Sequence, residues 1–478
     1  MIEKIYDIIV IGAGSGGLSV GLTMNKLGFK VLMIAKTDRE IGGDCLNDGC
    51  VPSKALIHVA RIAHAAKTAS HFGLEVNGKV DIKKAIEYVF SRQEIIREHE
   101  DAKALRNQGI NVALGEAKFI NDKQVDVDGI VYEGKKNVIA TGSLPVKLKI
   151  PGIELVKYYD NKSIFHIDDL PDRLLVIGGG PIGIEMAQAF SRLGTKVNIV
   201  HNQGMILQHD EKSVAEVLYK KLQHEGIEFY MEANTESFFS ANEAVLKLKN
   251  GDTTNVVFDA VFVGVCRQLV LDTLQLSNAG IEVKDKKIVR DKYLRTTNKN
   301  VFVCGDIAGD LMFSHAAEFH ARILLNNFFS PLKKKFNNDH MSWVTFTDPE
   351  LATFGLNEKQ LKDRSINYEK LEQDFSGDDR AITDNYQYAK IILYISKESL
   401  FKKEKILGGT MVAPNAGELI QELILANTYG LSIKSIFNKI YPYPVASRVN
   451  QYLIVKHKQK SLTPGLIKIL QVAYKIFS

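Results

Sequence analysis

The pattern of apolar and polar positions repeats along the chain. An apolar run from Ile8 to Ile11 precedes a glycine-rich turn, a helical pattern and a second apolar run that begins at Val31. The same order returns 166 residues later, where IIVIGAGSGGL and KLGFKVLMIA become LLVIGGGPIGI and RLGTKVNIVH. Each copy predicts a strand, a turn, a helix and a second strand, so the pattern indicates two copies of one α/β unit.

Both glycine turns have GxGxxG spacing. The glycines are Gly12, Gly14 and Gly17 in the first copy, and Gly178, Gly180 and Gly183 in the second. In this unit the first glycine permits a tight turn, the second lets a pyrophosphate approach the backbone, and the third packs the helix on the strand. Two copies therefore predict two dinucleotide sites. The alternative is a doubly wound fold whose crevices bind nothing.

The second strand of such a unit usually ends in an acidic residue that binds the adenosine ribose. The repeat places these ends at Ala35 and His201, and neither is acidic. In the first copy, Asp38 or Glu40 could reach around to the ribose. In the second copy, a histidine tolerates a 2′-phosphate, which favours NADPH; the alternative is NADH with its ribose held by another residue.

Two cysteines lie between the copies, in GGDCLNDGCVPSKAL. Pro52 suits a first helical turn, and the following pattern predicts a helix that ends near Thr68. Cys50 then lies at a helix N-terminus with Lys54 one turn further on, an environment that stabilises a thiolate. Two inert buried thiols are the alternative interpretation. A zinc site is not expected, because the two other cysteines of the chain form no second pair.

Composition narrows the class of protein. The chain has 478 residues, of which 45% are hydrophobic, and this predicts a globular protein of several domains. The net charge of +5 is too small to indicate a nucleic-acid partner. Four cysteines and no signal-peptide layout indicate a cytoplasmic, reducing setting, and no transmembrane segment is expected.

With these features in view, GGDCLNDGCVPSKAL closely resembles the redox-active disulfide motif of the FAD-dependent pyridine nucleotide-disulfide oxidoreductases. This family includes glutathione reductase, dihydrolipoyl dehydrogenase and mercuric reductase. The residues of the motif are most similar to those of the mercuric reductase branch. Further segments match in the same order, namely ATGSLP, VFVCGDIAG and WVTFTDPELATFGL. The resemblance implies an α/β fold with two Rossmann-like domains and a C-terminal α+β dimerisation domain. The implied parts are FAD domain 1–150, NAD(P) domain 151–270, FAD domain 271–339 and interface domain 340–478 of a homodimer.

The resemblance also implies site residues. Those assigned to FAD are Gly12, Gly14, Gly17, Gly43, Asp44, Lys54, Ala117, Thr141, Gly142 and Asp306. Those assigned to NAD(P)H are Gly178, Gly180, Gly183, His201 and Arg267. The catalytic set is Cys45, Cys50, Lys54, Glu185 and Tyr443. Asp306 has independent support, since it follows an apolar strand at the end where α/β folds bind ligands.

The implied reaction takes electrons from NAD(P)H through FAD to a Cys45–Cys50 disulfide. Cys50 would be the thiol on the flavin side, and Cys45 the outward thiol that meets the acceptor. Lys54 would pair with Glu185, which is placed in the first turn of its helix, facing the crevice.

Departures from the family pattern bear on the acceptor. Disulfide reductases carry a histidine and a glutamate where YPYPVASR has Tyr443 and Arg448, and a phenol is a poor acid–base group at neutral pH. The sequence therefore predicts a non-disulfide acceptor, either a soft metal ion or a quinone. One feature does not favour Hg(II) as the acceptor, because the sequence lacks the C-terminal cysteine pair of mercuric reductases. The alternatives are a dihydrolipoyl dehydrogenase or glutathione reductase type, and a flavin-binding regulatory relic with little turnover.

Two further departures stand apart from the acceptor question. Cys266 replaces a family glycine in VGVCR, and is expected to be a packed small thiol. The tail beyond Arg448 is longer than usual in the family, and a predicted helix places Leu466, Ile469, Leu470, Ala473 and Ile476 on one face, with Lys468 and Lys475 elsewhere. Such a helix is expected to dock on its own protein. The open alternative is a basic amphipathic helix on a membrane surface.

Overall fold

The computed structural model describes residues 2–397 and 403–478. The chain divides into two compact units, one formed by residues 1–202 with 226–337 and the other by residues 203–225 with 338–478. The domain boundaries expected from the sequence stay a prediction. The elements are numbered below in chain order.

The first repeat and the cysteine motif lie in the elements up to residue 145. The strands are β1 (Ile2–Ile11), β2 (Val31–Ala35), β3 (Asn111–Leu114), β4 (Ala117–Phe119), β5 (Gln124–Val127), β6 (Ile130–Ile139) and β7 (Leu144–Pro145). The helices are α1 (Ser15–Lys26), α2 (Gly43–Asn47), α3 (Cys50–Thr68), α4 (Ile82–Arg97) and α5 (Ala102–Asn107). The predicted strand–turn–helix–strand order of the first copy is confirmed, and so is the end of the cysteine helix at Thr68.

The second repeat lies in the elements between residues 158 and 329. The strands are β8 (Tyr158–Tyr159), β9 (Arg173–Ile177), β10 (Lys196–His201), β11 (Glu228–Met231), β12 (Asn234–Ser240), β13 (Glu243–Lys247), β14 (Thr253–Val257), β15 (Ala260–Val263), β16 (Arg267–Gln268), β17 (Val283–Lys284), β18 (Lys287–Ile288) and β19 (Val301–Val303). The helices are α6 (Pro181–Leu193), α7 (Lys212–His224) and α8 (Ser314–Phe329). The second copy, β9–α6–β10, is confirmed in the same way as the first.

The remaining elements belong to the C-terminal part of the chain. The strands are β20 (Ser342–Thr345), β21 (Glu350–Gly355), β22 (Tyr368–Asp374), β23 (Lys390–Ser396) and β24 (Ile406–Ala413). The helices are α9 (Glu358–Asp363), α10 (Asp379–Thr383), α11 (Ala416–Leu419), α12 (Gln421–Tyr429), α13 (Lys434–Phe437), α14 (Arg448–Gln459) and α15 (Pro464–Phe477). The five strands form one antiparallel sheet in the order β20-β21-β24-β23-β22.

Strand register brings the FAD-assigned loops together in the first sheet, whose order is β3-β2-β1-β6-β5-β4 with β19 beside β6. The strands β1, β6 and β19 run parallel, and Ile139 is in register with both Ile11 and Val303. These strands are almost wholly buried near their carboxyl ends, so hydrophobic burial fixes this register. The segments that follow Ile11, Ile139 and Val303 therefore emerge side by side at one edge.

The second sheet repeats this arrangement with the order β11-β10-β9-β15-β8. Ile177 of β9 is in register with Val200 of β10 and with Val263 of β15. The turn at Gly178, the end of β10 and the segment after β15 therefore share one edge. Parallel α/β sheets bind ligands at this end of their strands.

The C-terminal tail corrects one prediction. The helix α15 forms as expected, and Thr463 caps it by accepting a hydrogen bond from the Leu466 amide at 3.3 Å. Within the described part of the chain, however, α15 buries none of its residues. The expectation that this helix docks on its own protein is wrong for the single chain, because the described residues bury none of its apolar side chains.

None of the helices in the described ranges combines the length and the apolar character needed to cross a membrane.

Candidate active site

The two motif cysteines come together across the α2–α3 turn. Cys45 lies within α2, and Cys50 is the first residue of α3, where the sequence predicted a helix N-terminus. Both are free thiols, and their side chains form a hydrogen bond. Cys50 is exposed and Cys45 is half-buried. A pair of thiols at this spacing and contact can form a disulfide and be reduced again.

The local environment separates the acidities of the two thiols. The hydrogen bond from Cys45 is the main cause that lowers the pKa of Cys50 to about 6, and the charge of Lys54 contributes in the same direction. The same hydrogen bond, together with burial, raises the pKa of Cys45. At neutral pH the pair therefore holds one thiolate, on Cys50, and one protonated thiol, on Cys45.

A third group, Ser314, supports this thiolate. Its hydroxyl oxygen lies 3.4 Å from Cys50 Sγ and also contributes to lowering the Cys50 pKa. Ser314 is the first residue of α8, and 264 positions separate it from Cys50 in the chain. The sequence analysis missed this residue, because its signal is only a serine at a helix start with no motif around it.

We expect Ser314→Ala to raise the apparent pKa of Cys50 from about 6 to about 7, since a hydrogen bond to a charged group is worth about 1.5 kcal/mol or more. The measurement is the pH dependence of iodoacetamide alkylation of the reduced protein, followed by mass spectrometry at Cys50. Ser314→Thr is the control, because it keeps the hydroxyl. An unchanged profile in Ser314→Ala would show that the serine plays no part in the acidity of this thiol.

Lys54 and Glu185 form an ion pair at 2.8 Å. The carboxylate is almost fully buried, with 5% of its side chain exposed, whereas the Lys54 side chain is 35% exposed. Glu185 is the fifth residue of α6 and so lies in its second turn, not in the first turn as the sequence analysis placed it. The predicted pairing itself is present in the structure, and it joins the cysteine helix α3 to α6.

The first glycine turn fits a pyrophosphate. Gly12 has φ +105°, and a Cβ on Gly17 would lie 1.9 Å from the Gly12 carbonyl oxygen. Gly14 precedes α1, and a Cβ on Gly43 would lie 2.6 Å from the Gly14 Cα. The first turn of α1 carries no acidic residue. Helix amides without a competing carboxylate favour a bound anion, so these residues suit the dinucleotide that the sequence assigns to them.

Other FAD-assigned residues surround this turn. A Cβ on Gly12 would lie 2.3 Å from the Ala140 carbonyl oxygen, which places the Thr141–Gly142 loop beside the glycine turn. Ala117 is the buried first residue of β4. Asp38, suggested as a ribose ligand, accepts a hydrogen bond from the Ala102 amide at 2.7 Å through its Oδ1. That contact ties Asp38 to the start of α5.

Arg267 connects two carboxylates that the sequence assigned to FAD. Its guanidinium lies 3.2 Å from Asp44 Oδ1 and 3.9 Å from Asp306 Oδ2. Ser143, a residue absent from the predicted set, donates to Asp306 at 2.5 Å and accepts from Arg267 Nε at 2.7 Å. Burial raises the pKa of Asp306. The sequence assigned Arg267 to the nicotinamide site, whereas its contacts here are to residues of the FAD set.

The second glycine turn also fits a pyrophosphate. Gly178 has φ +118°, and a Cβ on Gly183 would lie 2.1 Å from the Gly178 carbonyl oxygen. Gly180 precedes α6, a Cβ there would meet nothing within 4 Å, and the first turn of α6 has no acidic residue. At the end of β10, His201 Nδ1 accepts a hydrogen bond from the Gly179 amide at 3.1 Å. This hydrogen bond holds the imidazole ring against the second glycine turn.

Tyr443 lies in the second compact unit. Its hydroxyl donates to Asp379 at 3.0 Å, and the Arg448 guanidinium lies over its ring at 5.4 Å. The hydrogen bond to Asp379 raises the pKa of the phenol further. Asp379 is separated from Tyr443 by 64 positions, and the sequence analysis missed it.

Cys266 differs from expectation. Its side chain is exposed, so the prediction of a packed thiol is wrong. The thiol follows β15 and precedes Arg267, at the edge of the sheet where the second glycine turn lies. Side chains after the end of a strand lie at the rim of a sheet rather than in its core, which explains the exposure.

Comparison with known proteins identifies the class of protein. Residues 6–321 match the pyridine nucleotide-disulphide oxidoreductase family, and residues 341–452 match its dimerisation domain. The chain belongs to this family. It is a flavin-dependent oxidoreductase that uses FAD and NAD(P)H, and the dimerisation domain supports a homodimer. The fold class and the family recognised in the sequence are thereby confirmed.

Its relatives fall into several activities. The chain is 30% identical to a mercuric reductase of Bacillus cereus over 92% of its own length and 69% of that protein. It is also 30% identical to a dihydrolipoyl dehydrogenase of Buchnera aphidicola over 94% of its length and 95% of that protein. Among solved structures, the Cu(II) complex of the HOCl-induced flavoprotein disulfide reductase RclA from Escherichia coli has a TM-score of 0.83 at 25% identity. That match covers 94% of this chain and 99% of the other.

Proposed function

We propose that this enzyme passes electrons from NAD(P)H through the Cys45–Cys50 pair to an acceptor that is not an ordinary disulfide. The acceptor is a soft metal ion such as Hg(II), or a quinone. Cys45, Cys50, Lys54, Glu185 and Tyr443 form the proposed catalytic set. When bound, FAD supplies the two-electron chemistry that links the nicotinamide to the cysteine pair.

The environment of Tyr443 carries the proposal about the acceptor. Reduction of a disulfide substrate by thiol exchange expels a thiolate, which needs a proton donor with a pKa near the working pH. The hydrogen bond to Asp379 raises the Tyr443 pKa above its ordinary value, away from that range. Arg448 stands where the family has a carboxylate and contacts the ring through its cation. The Tyr443 phenol is therefore a poor proton donor at neutral pH.

The thiol pair, in contrast, suits a soft metal ion. The Cys50 thiolate is available near neutral pH, since its pKa is about 6, and thiolates are the preferred ligands of soft cations. Cys45 would lose its proton when a metal ion binds, because a coordinating thiol is deprotonated outright. The mercuric reductase relatives and the Cu(II) complex of RclA support this choice of acceptor.

The test is a steady-state acceptor panel with the FAD-loaded enzyme. We expect low NAD(P)H consumption with oxidised lipoamide or oxidised glutathione, and clearly higher consumption with a quinone, a Cu(II)–thiol complex or a Hg(II)–thiol complex. Efficient lipoamide reduction governed by a neutral pKa would contradict the proposal and favour the dihydrolipoyl dehydrogenase type.

A double variant tests whether low activity with disulfide substrates is caused by the lack of a proton donor or by a site that such substrates cannot enter. Tyr443→His/Arg448→Glu installs the histidine and glutamate of the disulfide reductases. Since a positioned acid–base group contributes about 10²-fold or more, we expect lipoamide reduction to rise by at least about tenfold in this variant. The rate with a quinone should stay within about twofold, because a quinone releases no thiolate. A rise in both rates would contradict the proposal that disulfide reduction is limited because Tyr443 is a poor proton donor.

The choice of nicotinamide stays a prediction. The sequence favoured NADPH because His201 tolerates a 2′-phosphate. His201 Nδ1 accepts a hydrogen bond from the Gly179 amide, so this nitrogen does not donate to a phosphate, and this weakens that argument. Comparison of kcat/KM for NADH and NADPH, in the native enzyme and in His201→Arg, measures the preference directly.

A further inference from the structure

The tail helix α15 carries an uncovered apolar surface. Across the described chain, Ile469 is 65% exposed, Tyr474 75%, Ile476 69% and Phe477 88%. Isolated exposed apolar residues are ordinary, but a contiguous apolar patch on a helix marks an interaction surface. The match to the family's dimerisation domain covers residues 341–452 and ends before α15 begins at Pro464.

The helix has a narrow polar strip and a wide apolar face. At 3.6 residues per turn, Lys468, Gln471 and Lys475 lie within about 60° of one another around the axis. Apart from Pro464 in the first turn, the other positions are apolar or small and lie on an arc of about 220° between Val472 and Ile467. A helix that lies at a lipid interface has an apolar face and a polar face that is rich in lysine or arginine, as α15 has.

The charge along the sequence of α14 and α15 has one sign. No aspartate or glutamate follows Glu422 in the sequence, while lysines occur at 456, 458, 460, 468 and 475. Two of these have partners, since Lys456 donates to Gln373 and Lys458 pairs with Glu404. The polar strip of α15 itself is basic. Basic residues beside an apolar helical face complement anionic lipid headgroups.

We propose that α15 is an interfacial helix that docks the enzyme on the surface of an anionic lipid bilayer. The apolar arc lies among the acyl chains near the headgroups, and Lys468 and Lys475 face the lipid phosphates. A second copy of α15 fits less well, because one neighbouring helix covers only one side of the wide apolar arc. The inference does not depend on which electron acceptor the enzyme uses.

The test is co-sedimentation of the FAD-loaded, full-length enzyme with phosphatidylcholine vesicles that contain phosphatidylglycerol, and with vesicles of phosphatidylcholine alone. We expect binding to the anionic vesicles that weakens as salt increases. Lys468→Gln/Lys475→Gln should reduce the partition coefficient about thirtyfold, from about fivefold for each lysine near an anionic surface. Leu470→Glu should also reduce binding, because it places a charge in the apolar arc.

The matched control is Lys83→Gln/Lys84→Gln, which removes the same charge from exposed positions of α4 and should leave binding within about twofold. No binding to anionic vesicles, or equal losses in the two lysine pairs, would overturn the proposal. Analytical ultracentrifugation of a variant that ends at Ser461 tests the second copy as occupant. A dimer that becomes monomeric in that variant would make α15 a subunit contact and would also overturn the proposal.

Discussion

Replacement of Cys50 by serine is expected to lower acceptor reduction by at least about 10³-fold. Cys50 carries the thiolate of the pair, and its pKa is lowered to about 6 chiefly by the hydrogen bond from Cys45. Cys50→Ser removes this thiolate and any disulfide with Cys45. In the partly reduced, FAD-loaded enzyme we expect a long-wavelength charge-transfer absorbance that is lost in Cys50→Ser and retained in Cys45→Ser.

The acidity of Cys50 has a separate readout that needs no turnover. At pH 6 about half of Cys50 is ionised, compared with less than about 1% of an ordinary thiol, although a thiolate of lower pKa is intrinsically less nucleophilic. The two effects together predict alkylation at pH 6 that is on the order of tenfold faster than for an ordinary thiol. The sign is fixed: the rate should rise through pH 6 and level off above about pH 7.

Two variants of Cys45 provide the control for this interpretation. Cys45→Ser retains a hydroxyl that can donate to the thiolate, so the Cys50 profile should move little. Cys45→Ala removes the donor, and the apparent pKa should rise towards that of an ordinary thiol. Identical profiles in the two variants would contradict the role given to the hydrogen bond, and identical spectra in Cys50→Ser and Cys45→Ser would contradict the assignment of the two thiols.

The second large effect is expected at the Lys54–Glu185 pair. Lys54→Met removes the ammonium group 2.8 Å from a carboxylate that is 5% exposed, and breaking such a buried pair costs up to about 3–5 kcal/mol. We therefore expect Lys54→Met to lower the free energy of unfolding markedly. Glu185→Gln should cost about 1 kcal/mol or less, because the Lys54 side chain is 35% exposed and water still solvates its charge. Urea unfolding of the two variants measures this asymmetry.

The same pair has a predicted catalytic role, which the milder variant can test. We expect Glu185→Gln to retain a normal FAD content per chain while the rate of flavin reduction by NAD(P)H falls in stopped-flow measurements. Glu225→Gln, a substitution at the residue that follows α7, serves as a charge-matched comparison. Flavin reduction at the native rate in Glu185→Gln would remove Glu185 from the catalytic set, whatever the stability measurements show.

Short sequence patterns were sufficient to predict the helices, strands and turns that depend on interactions between neighbouring residues. The strand–glycine–helix units were predictable because Gly12 and Gly178 need positive φ and because a side chain at Gly17 or Gly183 would meet a carbonyl oxygen. The start of α3 near Pro52 and its end at Thr68 followed from helix signals. The position of Glu185 was less accurate, because the first residue of α6 could be placed only to within a turn.

The sequence by itself determined the family, the two dinucleotide units and the cysteine pair, since each rests on short-range spacing that constrains the backbone. Only the tertiary structure decided what surrounds these groups. Ser314 reaches Cys50 from 264 positions away, and Asp379 reaches Tyr443 from 64 positions away. Likewise, only packing could show that α15 stays uncovered, because an apolar face in a sequence reveals that a helix is amphipathic but not which surface, if any, lies against it. Hydrogen bonds and burial between distant segments depend on how the chain packs, and spacing along the sequence does not record that.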